Sequence, residues 1–346
     1  MFSLDEEIKT GQDYLSYLTS VFGASKLNPE AVELTKATWE KWEKQGTSQP
    51  NNIQEIASDP LQTYRVYYQD ILTACHIENI NPDSVYFSLL PLKNLNAYAN
   101  TTLNQDKVIV FDEELITFFT AFIIAVIVAV YTDTSDDEVE FFDEFILNSL
   151  DDFFSRTKSR TKDSNKKHTQ DFMGIIERDY YFTQVGSYFS MAFTVFIICH
   201  ELSHHILGHS TKKRVFAIPE NNGESIEIPV NSPSINEEFE ADTHAYKLYL
   251  ELIENRDRIE VAQLSDAFNR APLVFFELMD IVQTYSEYKT GESYRSDSHP
   301  HPQQRKERLI KKYDSGLHHY GEEFYKGFMG YSALIRKKMK RANPPT

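Results

Sequence analysis

The residues best suited to chemistry stand at positions 200 to 209, His200-Glu201-Leu202-Ser203-His204-His205-Ile206-Leu207-Gly208-His209, at the end of a long apolar run. The pattern H-E-x-x-H sets His200 and His204 four residues apart, on one face of an α-helix, where two imidazole nitrogens can meet a single ion. Glu201 lies about 100° further round the helix, so its carboxylate can reach a water beside that ion without ligating it. A catalytic zinc takes three protein ligands and keeps one position open, so a third ligand must come from elsewhere. Ser210, ten residues after His200, excludes the set in which a third His fills that position. The run Glu237-Glu238-Phe239-Glu240-Ala241-Asp242 supplies two carboxylates, Glu238 and Asp242, again four apart. Glu238 is the candidate third ligand. Asp242 is the candidate acceptor for the far nitrogen of a ligating His, which would fix that ring's tautomer. His205 and His209, also four apart, admit either a second metal or hydrogen bonds in the core and at the helix end.

Several elements must position these groups. Residues 181–207 read as a strongly apolar helix whose polar interruptions, Gln184, Ser187, Ser190 and Thr194, suit packing inside protein. Ser234 with Glu237 three residues on forms a capping-box signature, which predicts a helix from there to about residue 254. Small residues at 241 and 245 would let that helix approach closely. Upstream, residues 84–90, 96–100 and 107–111 read as strands, with a turn at 104–106; residues 214–218 and 226–230 read as a hairpin. Helices are predicted over 4–22, 29–44 (with Trp39 and Trp42 as packing residues), 61–75, 115–131, 138–154, 258–269 and 273–288. Residues 155–170, rich in Lys and Arg, read as an exposed loop, and His168 and His244 as surface residues.

The 346 residues suffice for a large buried core, and 41% hydrophobic with 25% charged residues is the balance of a globular chain. A net charge of -17 argues against a general nucleic-acid binder. Two cysteines, Cys75 and Cys199, make neither a disulfide framework nor a thiolate zinc site. With no basic, apolar leader at the start, the expected location is the cytoplasm. Residues 115–131 approach the length of a membrane span, but acidic residues flank both ends, and a helix apolar all round also suits a protein core.

Four motifs together resemble the M48 family of zinc metallopeptidases. His200-Glu-Leu-Ser-His204 followed by His209-Ser210 is similar to the family's H-E-L-G-H-x4-H-S, and Glu238-Phe-Glu-Ala-Asp242 to its E-[FY]-x-A-D. Asn96-Ala97-Tyr98 resembles its N-A-[FY] strand, and His299-Pro300 with Arg305 its H-P-x4-R ending. The resemblance implies one Zn2+ held by His200, His204 and Glu238, with Glu201 as general base. It implies His299, or failing that His301, at the oxyanion, Arg305 as a contact behind the site or to a substrate carbonyl, and Asn96, Ala97 and Tyr98 as an edge strand for an extended peptide. Ser203 in place of the family's Gly, the added His205 and the long insertion at 132–180 are departures, and the resemblance is to a soluble variant. A looser analogy is to Lit-like phage-exclusion peptidases, whose substrate would be a host protein.

The resulting expectation is an α+β, predominantly helical, minigluzincin-like zincin fold. It comprises a helical cap over 1–82, a peptidase core over 83–315 and a helical tail over 316–346. The expected function is that of a zinc endopeptidase acting on an intracellular protein or peptide, with no nucleic-acid partner and no membrane. The alternatives are a metal-binding scaffold or sensor without turnover, and an integral membrane protease spanning with residues 115–131 and 182–199.

Overall fold

A computed structural model describes residues 9–23, 60–92, 95–102, 104–131, 142–151, 180–211, 213–219, 225–231, 233–255, 268–291, 299–313 and 322–342. The chain divides into two units, Met1–Glu113 with His204–Asn231, and Glu114–Ser203 with Ser232–Thr346.

In the first unit, α1 covers Gly11–Phe22, and Thr10 and Asp13 form a capping box that fixes its first turn; residues 4–8 of the helix predicted over 4–22 lie outside the described residues. The Asp13 N–H donates to Thr10 Oγ1 and the Thr10 N–H to Asp13 Oδ2, both at 3.1 Å. Helix α2 covers Pro60–Ala74. The helix predicted over 29–44 lies outside the described residues.

Strands β1 (Val85–Leu90), β2 (Ala97–Thr101) and β3 (Lys107–Asp112) form one sheet in the order β1-β3-β2. β1 runs parallel to β3, with Phe87 opposite Ile109, and β2 antiparallel, with Ala99 opposite Ile109. The central strand is the most apolar, and Val108, Ile109, Val110 and Phe111 are all buried. Tyr64 and Tyr68 of α2 pack on Phe111 and Phe87, while Tyr14 and Leu18 of α1 join Leu90, Val108 and Val110. The predicted hairpin is β4 (Lys213–Pro219) with β5 (Ser225–Asn231), Arg214 standing opposite Val230.

The second unit is helical. Helix α3 covers Glu113–Tyr131, residues 142–151 are helical, and α4 covers Tyr180–Ile206, its last turn counting with the first unit. They are followed by α5 (Ile235–Asn255), α6 (Ala271–Thr290), α7 (Pro302–Tyr313) and α8 (Glu322–Ala342). Gly186 lets α4 approach α3, since a Cβ there would collide with Ile124. Beside it the hydroxyls of Thr120 and Ser190 share a hydrogen bond, and Thr194 Oγ1 donates to the Ser190 carbonyl at 3.0 Å, so polar interruptions of α4 are used inside the protein. Phe119, Phe193 and Phe196 surround Phe275 with ring centroids 5.4 to 6.2 Å away. Among the described residues one helix, Val185–Ile206, is long and apolar enough to cross a membrane; 83% of its most apolar window is buried in the protein, and a core helix passes the same test.

Helix α7 has no counterpart in the periodicity reading. Its buried positions are Pro302, Lys306 and Leu309, so a lysine stands where the pattern needs an apolar residue. Pro302 opens the helix at its first position, where a missing N–H costs nothing. The loop over 155–170 and most of the helix predicted over 258–269 lie outside the described residues.

Candidate metal centre

Helix α4 carries His200, Glu201 and His204 on consecutive turns, and all three are buried. Helix α5 supplies Glu238 and Asp242, each 1% exposed. The start of α5 decides which glutamate faces inward: the Ser234 N–H donates to Glu237 Oε2 at 2.7 Å, so Glu237 is engaged at the cap and Glu238 is directed to the site. One ligand atom from each of His200, His204 and Glu238 lies within 4.8 Å of the other two, and this cluster could hold a metal ion. His200 Nε2 and Glu238 Oε2 are 3.5 Å apart. A tetrahedral zinc with bonds of roughly 2.0 to 2.1 Å sets its ligand atoms about 3.3 Å apart, so this pair fits an ion with little movement.

The electrostatics point the same way. Glu201, Glu238 and Asp242 are three buried carboxylates, and one guanidinium, Arg305, faces them from α7. Arg305 Nε donates to Asp242 Oδ2 at 2.7 Å and Nη2 to Oδ1 at 2.5 Å, a bidentate pair. The same Nη2 lies 3.4 Å from Glu238 Oε2, and the guanidinium stacks 4.7 Å above the Phe276 ring. Ionised, these groups leave two negative charges, which is what a divalent ion would cancel. Asp242 Oδ1 also lies 3.0 Å from His200 Nδ1, so His200 turns its Nε2 towards Glu238. Burial depresses the His200 ring's pKa, but Asp242 and Glu238 outweigh it and push it up to about 10, the behaviour of a site that attracts positive charge. Burial likewise works to raise Asp242, and Arg305 outweighs it, holding the carboxyl below its ordinary value.

The two C-terminal histidines separate. His299 Nε2 lies 3.9 Å from Glu238 Oε1 with its side chain 27% exposed, whereas His301 Nδ1 accepts the Gln303 N–H at 3.2 Å and lies 3.4 Å from Asp280. Asn96, Ala97 and Tyr98 stand at β2, the edge strand of the sheet in the other unit. Asn96 Oδ1 accepts the Ala97 N–H at 3.0 Å and the Asn96 carbonyl accepts the Asp112 N–H at 2.9 Å; Ala97 is buried and Tyr98 half-buried.

His244, read as a surface residue, is half-buried instead, with Nδ1 3.0 Å from Ser203 Oγ. Ser203 donates its own proton to the Cys199 carbonyl at 2.7 Å, which leaves the hydroxyl oxygen to accept from His244. Ser203 standing where the resembled motif has Gly is the signal that could have found this pair.

A family model described as Peptidase U49 matches residues 128–325, more than half of the chain. The chain belongs to the peptidase U49 family. That is a peptidase family, as the four motifs implied, but it is not M48. The matched segment contains the H-E-x-x-H motif, Glu238, Asp242, His299 and Arg305, and leaves out Asn96 to Tyr98. No curated protein and no solved structure matches the chain.

Proposed function

We propose that this member of the family is a zinc-dependent endopeptidase of zincin type, in which His200, His204 and Glu238 hold one Zn2+. The convergence of these three buried ligand atoms beside Glu201 carries the reading. When bound, zinc supplies Lewis acidity that polarises the scissile carbonyl and acidifies the attacking water. Glu201 takes the proton from that water and returns it to the leaving amine, a role that its position one residue from a ligand allows. Asp242, held by Arg305, orients His200. His299, beside Glu238 and partly open to solvent, is assigned to the developing oxyanion. β2, with Asn96 to Tyr98, is the edge to which an extended substrate would add.

The substrate is assigned as an intracellular protein or peptide, since a protein or peptide is the class on which a peptidase family acts. Elemental analysis of the purified protein tests the reading. The expected result is one zinc per chain, lost in His204→Ala and in Glu238→Ala. Wild-type protein that cleaves peptides equally well after its divalent ions are stripped would overturn it.

A further inference from the structure

Beyond the five residues of H-E-x-x-H the sequence continues to Gly208-His209-Ser210, and the structure gives this extension a physical role. Gly208 has φ 75°, in the left-handed region that favours glycine, and it reverses the chain at the end of α4. A single 3-10 turn, His209–Thr211, follows. Ser210 anchors that turn: it is 2% exposed and its Oγ lies 2.7 Å from Thr101 Oγ1 on β2. His209 is thereby held under the end of the helix. It is 6% exposed, and its Nδ1 lies 3.2 Å from the Nδ1 of His204, with the rings inclined at 62°.

Two ring nitrogens at hydrogen-bond distance need one donor and one acceptor. With His204 Nδ1 taken by His209, the nitrogen left for an ion is Nε2. A neutral His204 can offer Nε2 as a lone pair only if its proton sits on Nδ1, which makes His204 the donor and His209 the acceptor. The opposite arrangement would place the proton on His204 Nε2 and block the ligand atom. The neighbouring His205 points its Nε2 to the Asn100 carbonyl, 3.1 Å away.

We propose that His209 is a positioning residue, whose Nδ1 accepts the Nδ1–H of His204 and holds that ring in the tautomer that presents Nε2 to the ion. The proposal rests on the metal reading given above and adds a second supported ligand to it. His200 is oriented from behind by a carboxylate and His204 by a neutral imidazole.

Nitrogen-15 NMR of histidine-labelled, metal-free protein reads the bond directly. The expected result is the Nδ1–H tautomer for His204 and the Nε2–H tautomer for His209; the reverse assignment overturns the proposal. Zinc affinity, measured by chelator competition, gives a second readout. His209→Leu removes the acceptor and should weaken affinity by roughly 10- to 100-fold. His209→Asn places an amide oxygen where Nδ1 stood and should recover most of the loss. Equal losses in the two variants, or no loss in His209→Leu, would sink the positioning role while wild-type zinc binding stands. If wild-type protein binds no zinc, the metal reading itself falls and takes this proposal with it.

Discussion

At Asp242 one carboxylate faces two partners, Arg305 through a bidentate bridge and His200 through Nδ1. Because it is buried, each partner depends on its charge. Asp242→Asn keeps the shape but removes that charge, and zinc affinity is expected to fall roughly 10- to 100-fold in chelator competition. Arg305→Leu leaves Asp242 buried without its cation, and the expected loss is about 3 to 5 kcal/mol in urea unfolding. An unchanged midpoint would show that the bridge carries no stability. At this scale the sequence is most legible where partners lie four residues apart on a helix, as with His200 and His204 or Glu238 and Asp242. Arg305 was recognisable as a motif residue, but its partner was not, because 63 residues separate it from Asp242 and only the fold brings α5 and α7 together. His244 was hidden for the same reason: its partner, Ser203, is on another helix.

Helices α3 and α4 were legible because long stretches of them, 122–129 and 192–199, are buried and apolar apart from a single hydroxyl, and the short strands because β-branched runs stand between turn residues. Caps were the sharpest signals: Ser234 and Glu237 start α5 at the expected place, and the capping box of Thr10 and Asp13 fixes the first turn of α1 inside the stretch where apolar spacing gave a helix. Helix α7 was illegible because its inward face holds Lys306, a buried cation that looks like a surface residue in the sequence. The close approach of α3 and α4 can be tested at Gly186. Gly186→Val would drive a side chain into Ile124, and the expected destabilisation is roughly 1 to 3 kcal/mol, read from thermal unfolding. A gain in stability would mean that the helices can separate there without loss.

The second unit is tied together by a buried ionic network that the sequence did not reveal. Glu277 of α6, 1% exposed, meets Lys306 of α7 and Ser332 and Arg336 of α8, and Arg336 also meets Asp280. Burial works to raise the Glu277 carboxyl, but Arg336, with Lys306 and Ser332, outweighs it and holds the carboxyl below its ordinary value of 4.5. A depressed carboxyl stabilises the fold fully above the unfolded value and loses that contribution as pH falls through the folded one. The difference in stability between wild type and Glu277→Gln should therefore be constant at neutral pH and shrink below pH 4.5. A difference that grows on acidification would contradict the sign. Across these scales we propose one function: the constellation around His200, His204 and Glu238 performs metal-assisted proteolysis with Glu201 as its base. The most direct measurement compares newly formed protein termini in cells expressing wild type and Glu201→Gln, with zinc content and folding checked in both. The account predicts new termini with wild type alone, at equal zinc content; cleavage undiminished in Glu201→Gln would contradict it.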